Sequence, residues 1–266
     1  MKFLTSAANM LLMANLAWAS PLTLMETAKE ELRARNAARR SNRMRAEGEV
    51  KYINGTAAVQ STNWGGAAVV TSGVTKVTGV FTVPRPSPPS GGSSRTEYCG
   101  AAWVGIDGYN NADLIQTGVL WCVQNGAYLY EAWYEYLPAA LVAYSGITVT
   151  AGSVVTVTAT KTGTNSGVTT LSSGGQTVSH TFSGQSSPLP GTSAEWIVED
   201  FESGGSLVPF ANFGTVTFTS SSATINGATV TPGSGSATNI ELISSSGSQL
   251  TSTTVSGGTV TVGRTL

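Results

Sequence analysis

The chain has 266 residues, 41% hydrophobic and 11% charged, with 31 Gly, 10 Pro, 2 Cys and one His. Charged residues stand at less than half their usual quarter, and Thr, Val, Ser and Gly dominate after residue 55, which excludes a solvated helical bundle and a disordered chain. The net charge of −1 hides two unlike parts: residues 1–51 carry nine bases against five acids, a net +4, and the remainder carries five bases against ten acids, a net −5.

In chain order, Lys2, the apolar stretch Met10–Leu16 and the small-x-small triplet Ala17-Trp18-Ala19 read as a secretory signal over residues 1–19. The run is too short to span a bilayer, Asn9 and Asn15 interrupt it, and no later segment is a candidate, so a secreted protein without a membrane anchor is expected. Residues 20–58 form a basic leader, and the Ala, Glu, Leu and Arg content of Thr23–Arg45, free of Gly and Pro, favours helix. A helical basic segment between a signal and an acidic body reads as a propeptide. Asn54-Gly55-Thr56 is a sequon for glycosylation at Asn54.

From residue 59 to 266 the period switches to two. Val or Phe alternates with Thr in Val154–Thr160, Gly214–Ser220 and Thr259–Val262, so one face can be buried while hydroxyls face water. Gly, Ser and Asn clusters punctuate these runs at short spacing, the pattern of antiparallel hairpins in two packed sheets. The expected fold is an all-β sandwich of two large antiparallel sheets, a jelly roll of the concanavalin type. Pro84-Arg85-Pro86-Ser87-Pro88-Pro89 must be a surface excursion, because proline cannot donate to a central ladder. Secretion favours a disulfide between Cys99 and Cys122, closing a loop of about two dozen residues worth about 3 kcal/mol.

Two cysteines and one histidine make no convincing zinc set, so neither a metal nor a cofactor is expected. Few Lys or Arg remain in the body to neutralise phosphates, which disfavours nucleic acid. His180 lies in an alternating strand without a Gly-x-Ser-x-Gly elbow, and no pepsin-like Asp-Thr-Gly pair occurs. Eight of the ten acids after residue 51 fall in residues 107–135 and 195–202, where Trp121, Trp133 and Trp196 also lie, with Trp103 just before. Carboxylates among aromatic rings suit a substrate cleft with raised carboxyl pKa values. On composition a jelly-roll glycoside hydrolase using Glu135 and Glu195, or a non-catalytic carbohydrate-binding sandwich, fits as well.

Ordered motifs narrow this choice. Asn63-Trp64-Gly65-Gly66, Phe81-Thr82-Val83-Pro84, Ala102-Trp103-Val104-Gly105-Ile106-Asp107-Gly108, Ile115-Gln116-Thr117-Gly118, Ala132-Trp133-Tyr134-Glu135-Tyr136-Leu137-Pro138, Val178-Ser179-His180-Thr181-Phe182 and Ala194-Glu195-Trp196-Ile197-Val198-Glu199-Asp200-Phe201-Glu202 resemble the glutamic peptidases, or eqolisins, over residues 60–266. The resemblance implies a secreted, pepstatin-insensitive acid endopeptidase, a monomer acting on proteins or peptides and made as a proenzyme inhibited by its own propeptide. It puts the catalytic pair on Gln116 and Glu195, with substrate-cleft positions at Trp64, Trp103, Asp107 and Glu135. It also starts the mature chain near Ala58–Ser61. Glu195 would act as a base that stays partly ionised in acid, and Gln116 would donate to the oxyanion. The family's type member carries Asp where this chain has Leu120, so that acid's part in the cleft is absent or reassigned. A +4 leader on a −5 body would block the cleft until acid neutralised the carboxylates.

Overall fold

The structure is a computed structural model that describes residues 21–35, 39–53 and 56–265; the signal sequence and Asn54 lie outside the described residues. It divides into two compact units, Met1–Ala37 and Ala38–Leu266. Within the first, α1 (Pro21–Arg35) carries ion pairs one turn apart, Lys29 to Glu26 at 2.9 Å and Arg33 to Glu30 at 2.6 Å. Exposed pairs of this kind add only a few tenths of a kcal/mol each.

The second unit opens with the rest of the leader, and here the expectation of helix through Arg45 is corrected. Arg39–Arg40 form β1 and Ala46–Ile53 form β2. β1 and β2 have strand partners in the body, residues 41–45 between them bond to it outside any ladder, and paired ladders outweigh a helix propensity worth tenths of a kcal/mol per residue. The body continues with β3 (Thr56–Ser61), β4 (Trp64–Val70), β5 (Val74–Thr82), β6 (Tyr98–Ile106), β7 (Ile115–Gln124), β8 (Ala127–Tyr136) and β9 (Val142–Ala143). Next come β10 (Val154–Gly163), β11 (Ser166–Ser173), β12 (Gln176–Phe182), β13 (Ser193–Glu199), β14 (Glu202–Ser203) and β15 (Ser206–Leu207). The chain ends with β16 (Thr215–Ile225), β17 (Ala228–Val230), β18 (Thr238–Leu242), β19 (Thr251–Ser256) and β20 (Thr259–Arg264).

A nine-stranded sheet runs β2-β3-β18-β4-β13-β6-β7-β8-β9, and an eight-stranded sheet runs β12-β11-β10-β5-β16-β20-β19, with β17 on β16. A small third sheet is β1-β14-β15. Pairing is antiparallel except between β3 and β18, which run parallel. Two-residue turns set the registers of two hairpins: Asn125-Gly126 between β7 and β8, and Asn226-Gly227 between β16 and β17, all four residues at φ between 50° and 81°. Such left-handed pairs match the twist of the strands they join.

The two large sheets meet on their alternating apolar faces. Val155, Val157 and Ala159 of β10 and Val216 and Phe218 of β16 are buried with Ala194, Trp196 and Val198 of β13. Each fully buried Val, Leu or Phe contributes about 1.5–3 kcal/mol. Gly79 leaves room for the Trp196 indole, whose Nε1 donates to Thr78 O at 2.9 Å. The Pro84–Pro89 segment lies outside the large sheets, and Cys99 and Cys122, directly opposed on β6 and β7, form a disulfide.

Candidate active site

The opposite face of the nine-stranded sheet carries the chemistry. Because strands alternate, Glu195, Ile197 and Glu199 all point away from the core that Trp196 fills. Registers across β4, β13, β6, β7 and β8 then build three rows. The first is Ala68, Glu195, Gly105, Gln116 and Glu135; the second is Gly66, Ile197, Trp103, Gly118 and Trp133; the third is Trp64, Glu199, Ala101, Leu120 and Glu131. Successive rows lie about 7 Å apart along the strands, and neighbouring strands about 4.8 Å apart.

The first row joins Gln116 to both acids anticipated around it. Gln116 Nε2 donates to Glu135 Oε2 at 2.7 Å, and all three of Glu195, Gln116 and Glu135 are buried. Gln116 Oε1, Glu135 Oε1 and both Glu195 carboxyl oxygens have no hydrogen-bond partner among the described protein atoms. Unused polar capacity of this kind costs a fold several kcal/mol and marks a site built for something other than stability. Gly105 separates Glu195 from Gln116 without a side chain of its own, and Leu114 Cδ1 and the Trp103 ring close over it, each 2.9 Å from where a Cβ would stand. Burial holds the Glu195 carboxyl well above the usual carboxylate range, and the Asp107 charge adds to the shift. Burial does the same to Glu135, reinforced by Glu199.

Asp107 is brought to this end of β13 but is spent on the backbone. Its Oδ2 accepts Gly191 N at 2.8 Å, and its Oδ1 accepts Thr192 N and Thr192 Oγ1, each at 2.8 Å, and Asn111 Nδ2 at 3.1 Å. The residue sits at φ 73°, fully buried, and ties down the loop that leads into Glu195.

The third row is gripped by leader residues. Glu199 accepts Trp103 Nε1 at 2.7 Å, Asn42 N at 3.2 Å and the Ser41 hydroxyl. Trp64 packs edge-on against Trp103, ring centroids 4.8 Å apart, and donates from Nε1 to Asn42 O at 3.0 Å. Asn63 accepts Arg45 N at 2.8 Å and donates to Arg43 O at 3.1 Å, and Gly108 O accepts Met44 N at 2.9 Å. Arg39 pairs with Glu131, and Arg45 with Glu202 at 2.5 Å. Burial pushes Glu199 up to about 7.

Sequence reasoning assigned no part to Glu131, Asn63 or Tyr109, and none to Glu199 despite a usable signal. Glu195 and Glu199 are four residues apart on a strand and therefore share a face. Tyr109, in the loop after β6, carried no such signal; burial raises its hydroxyl pKa, and the Glu195 charge adds to the shift. His180 stays in β12, its ring stacked on Tyr134 at 4.1 Å, on an element that contributes nothing to the three rows. A recess of about 450 Å³ beside Asn239 and Glu241 opens on the inter-sheet side of β18, since Asn239 pairs with Ala67 of the core face.

A carboxyl, an amide and a second carboxyl, buried in one row over a β-sandwich and short of hydrogen bonds, define a hydrolase site. The sequence profile of the peptidase A4 family matches residues 62–264. Over 273 aligned positions the chain is 44% identical to aspergillopepsin-2 of Aspergillus niger, covering 94% of this chain and 95% of that protein. Scytalidopepsin B of Scytalidium lignicola is 40% identical over 210 positions, 74% of this chain and 77% of that one. The crystal structure of scytalido-glutamic peptidase with a transition-state analog inhibitor superposes with a TM-score of 0.69 at 36% identity, covering 77% of this chain and 98% of the other. That of aspergilloglutamic peptidase from Aspergillus niger gives 0.60 at 47% identity, covering 63% and 99%. The chain belongs to the peptidase A4 family of glutamic peptidases; it is an acid endopeptidase acting on proteins or peptides.

Proposed function

We propose that Gln116 and Glu195 are the catalytic pair, and that residues 20–58 are a propeptide whose second half inhibits the enzyme from within the cleft. The observation that carries the first reading is the row Glu195, Gly105, Gln116, with unused hydrogen-bond capacity on both side chains and no side chain between them. A substrate carbonyl held between Glu195 and Gln116 would have an amide donor on one side and a carboxyl on the other. One Gln116 N–H stays available to the developing oxyanion while the other donates to Glu135, which fixes the amide's orientation.

The raised pKa alters the role first expected of Glu195. Burial, with residues 39–45 in place, favours the neutral form of this carboxyl. Such a group can take the proton of the attacking water on one oxygen and deliver its own proton from the other to the leaving nitrogen. Water adds to the carbonyl carbon, the C–N bond breaks, and Glu195 ends in the protonation state in which it began. Activity then falls as pH rises through the folded pKa of Glu195, which accounts for acid operation without an ionised base.

Residues 39–45 of the leader cover the third row and engage Trp64, Asn63 and Glu199 through backbone and side-chain hydrogen bonds. The ion pairs Arg39–Glu131 and Arg45–Glu202 vanish when the carboxylates are protonated, which loosens the leader in acid. At Glu199 burial raises the pKa, and the hydrogen bonds from Ser41 and Asn42 of the leader lower it. The family profile's start at residue 62 supports a mature chain over residues 59–266. Residues 1–19 read as a signal for secretion, and among the described residues no helix is long and apolar enough to cross a membrane. The mature enzyme works as a monomer, since the three rows lie within one chain.

Digestion of casein or haemoglobin by acid-treated protein across pH 2–7, with pepstatin present, tests the pair. Acid-limited cleavage that disappears in both Glu195→Gln and Gln116→Ala is expected. Cleavage retained by either variant rules out that residue's catalytic role.

A further inference from the structure

We infer that the recess beside Glu241 is a binding site for the amino terminus that maturation creates, with the new α-ammonium paired to the Glu241 carboxylate. This rests on the reading that the mature chain begins near residue 59. The recess holds about 450 Å³ and is walled by Ala58 of β3, Asn239 and Glu241 of β18 and Thr253 of β19. β3 and β18 run parallel, with Ala58 opposite Asn239 and Gln60 opposite Glu241. Asn239 and Glu241 share the inter-sheet face of β18, because the strand alternates and Asn239 pairs with Ala67 of the core. The backbone nitrogen of Val59 therefore lies level with the gap between these two side chains, about 7 Å from the Glu241 Cα. A cut beside Ala58 opens that wall of the recess and leaves a charged nitrogen at its edge.

Glu241 is suited to receive it. The residue is 3% exposed, and it lies on the face of the nine-stranded sheet opposite to the three rows, where the reaction makes no use of it. Its Oε1 accepts Thr253 N at 2.9 Å and its Oε2 accepts the Thr251 hydroxyl at 3.4 Å, while a carboxylate can accept about four bonds. Burial pushes its carboxyl up to about 7, and the donors on Thr253, Thr251 and Gln249 that oppose this are all uncharged. An ionised carboxyl buried without a cation is costly, and an ammonium beside it recovers part of that cost. Before the cut the same nitrogen is a neutral amide in a strand flanked by β2 and β18. Departure of the leader removes β2 and turns β3 into an edge strand, and the ion pair then fixes its free end. An α-amino group keeps its proton below about pH 7.7, and pairing draws the carboxyl pKa down from 7. The pair is thus present in mild acid and is lost as pH falls through the lowered carboxyl value.

The test uses mature enzyme and its Glu241→Gln variant, which keeps an acceptor for Thr253 N. Both are first sequenced from the amino end. Pyridoxal phosphate then transaminates the α-amine to a ketone, which removes its charge and spares the side chains of Lys76 and Lys161. The reaction is expected to run about tenfold slower in the wild type than in Glu241→Gln. Once complete, it should lower the thermal midpoint of the wild type by about 4 °C at pH 6 and leave it unchanged at pH 2, with no shift in Glu241→Gln at either pH. Equal rates in the two proteins, or an equal fall in both midpoints, overturns the ion pair while leaving the chain boundary intact. A mature terminus outside residues 58–61 overturns the boundary, and the inference with it.

Discussion

The first and third rows on the outer face of the nine-stranded sheet are built from the same materials and end in opposite conditions. Each sets a buried glutamate of β13 across from a second glutamate on β8. In the first, Glu195, Gln116 and Glu135 keep polar atoms unused; in the third, Glu199 is fully engaged by Trp103, Ser41 and Asn42. Hydrogen-bond accounting thus separates a row with unused polar atoms from a row on which residues 41 and 42 are held. Burial raises the carboxyl pKa in both, so pKa alone would not tell them apart.

The largest effect that could break this contrast is on the first row. Glu195→Gln should reduce kcat/KM by about a thousandfold or more with little change in thermal midpoint, since no protein partner is lost. A comparable loss of activity accompanied by a collapse in stability would assign Glu195 to the fold instead.

The third row should reveal itself in stability. Glu199 is raised from 4.5 to about 7, so between these values the native state holds a proton that the unfolded chain has released. The associated stability is fully present below about pH 4.5 and is lost as pH rises through 7, by about 3 kcal/mol. Denaturant unfolding of the full-length Glu195→Gln and Glu195→Gln/Glu199→Gln chains at pH 4 and pH 8 isolates this loss as the difference between the two, because Glu135, Asp200 and Glu241, also raised by burial, titrate in both. An unchanged slope would mean that Glu199 does not titrate in this window.

Gly105→Ala tests the gap in the first row. The added methyl must displace Leu114 or Trp103, so about 1–3 kcal/mol of stability and at least tenfold in kcat/KM should be lost. The smallest effect belongs to the rim. Arg45 is 43% exposed in its pair with Glu202, and Arg45→Ala should cost the leader's grip under about 1 kcal/mol, read as slightly faster maturation at low salt.

Much of the sandwich is legible in residue order, because a strand with Val or Phe on one side and Thr on the other has only one way to turn in a layered fold. Val154–Thr160 and Thr259–Val262 behave accordingly. The leader was less legible. Its composition favours helix through Arg45, and α1 stops at Arg35. Beyond it, pairing of Arg39 with Ser203 decides the conformation, and local propensity carries no record of a partner that far along the chain. The cleft was legible in part. Gln116 and Glu195 stand in recognisable motifs, whereas Asp107 could not be read as a loop clamp, because the amides it accepts come from residues 191 and 192.

By itself the sequence determined the all-β class, the cysteine pair and the acids and amide available for catalysis, since each follows from local periodicity, residue chemistry or a short motif. Tertiary structure alone decided which acids are left unpartnered and which are held. Alternation along β13 puts Glu195 and Glu199 on one face, but it is register across β4, β6, β7 and β8 that sets Gly105 between Glu195 and Gln116, and Leu120 opposite Glu131. Register depends on packing against the rest of the molecule, and that information is distributed over the whole chain.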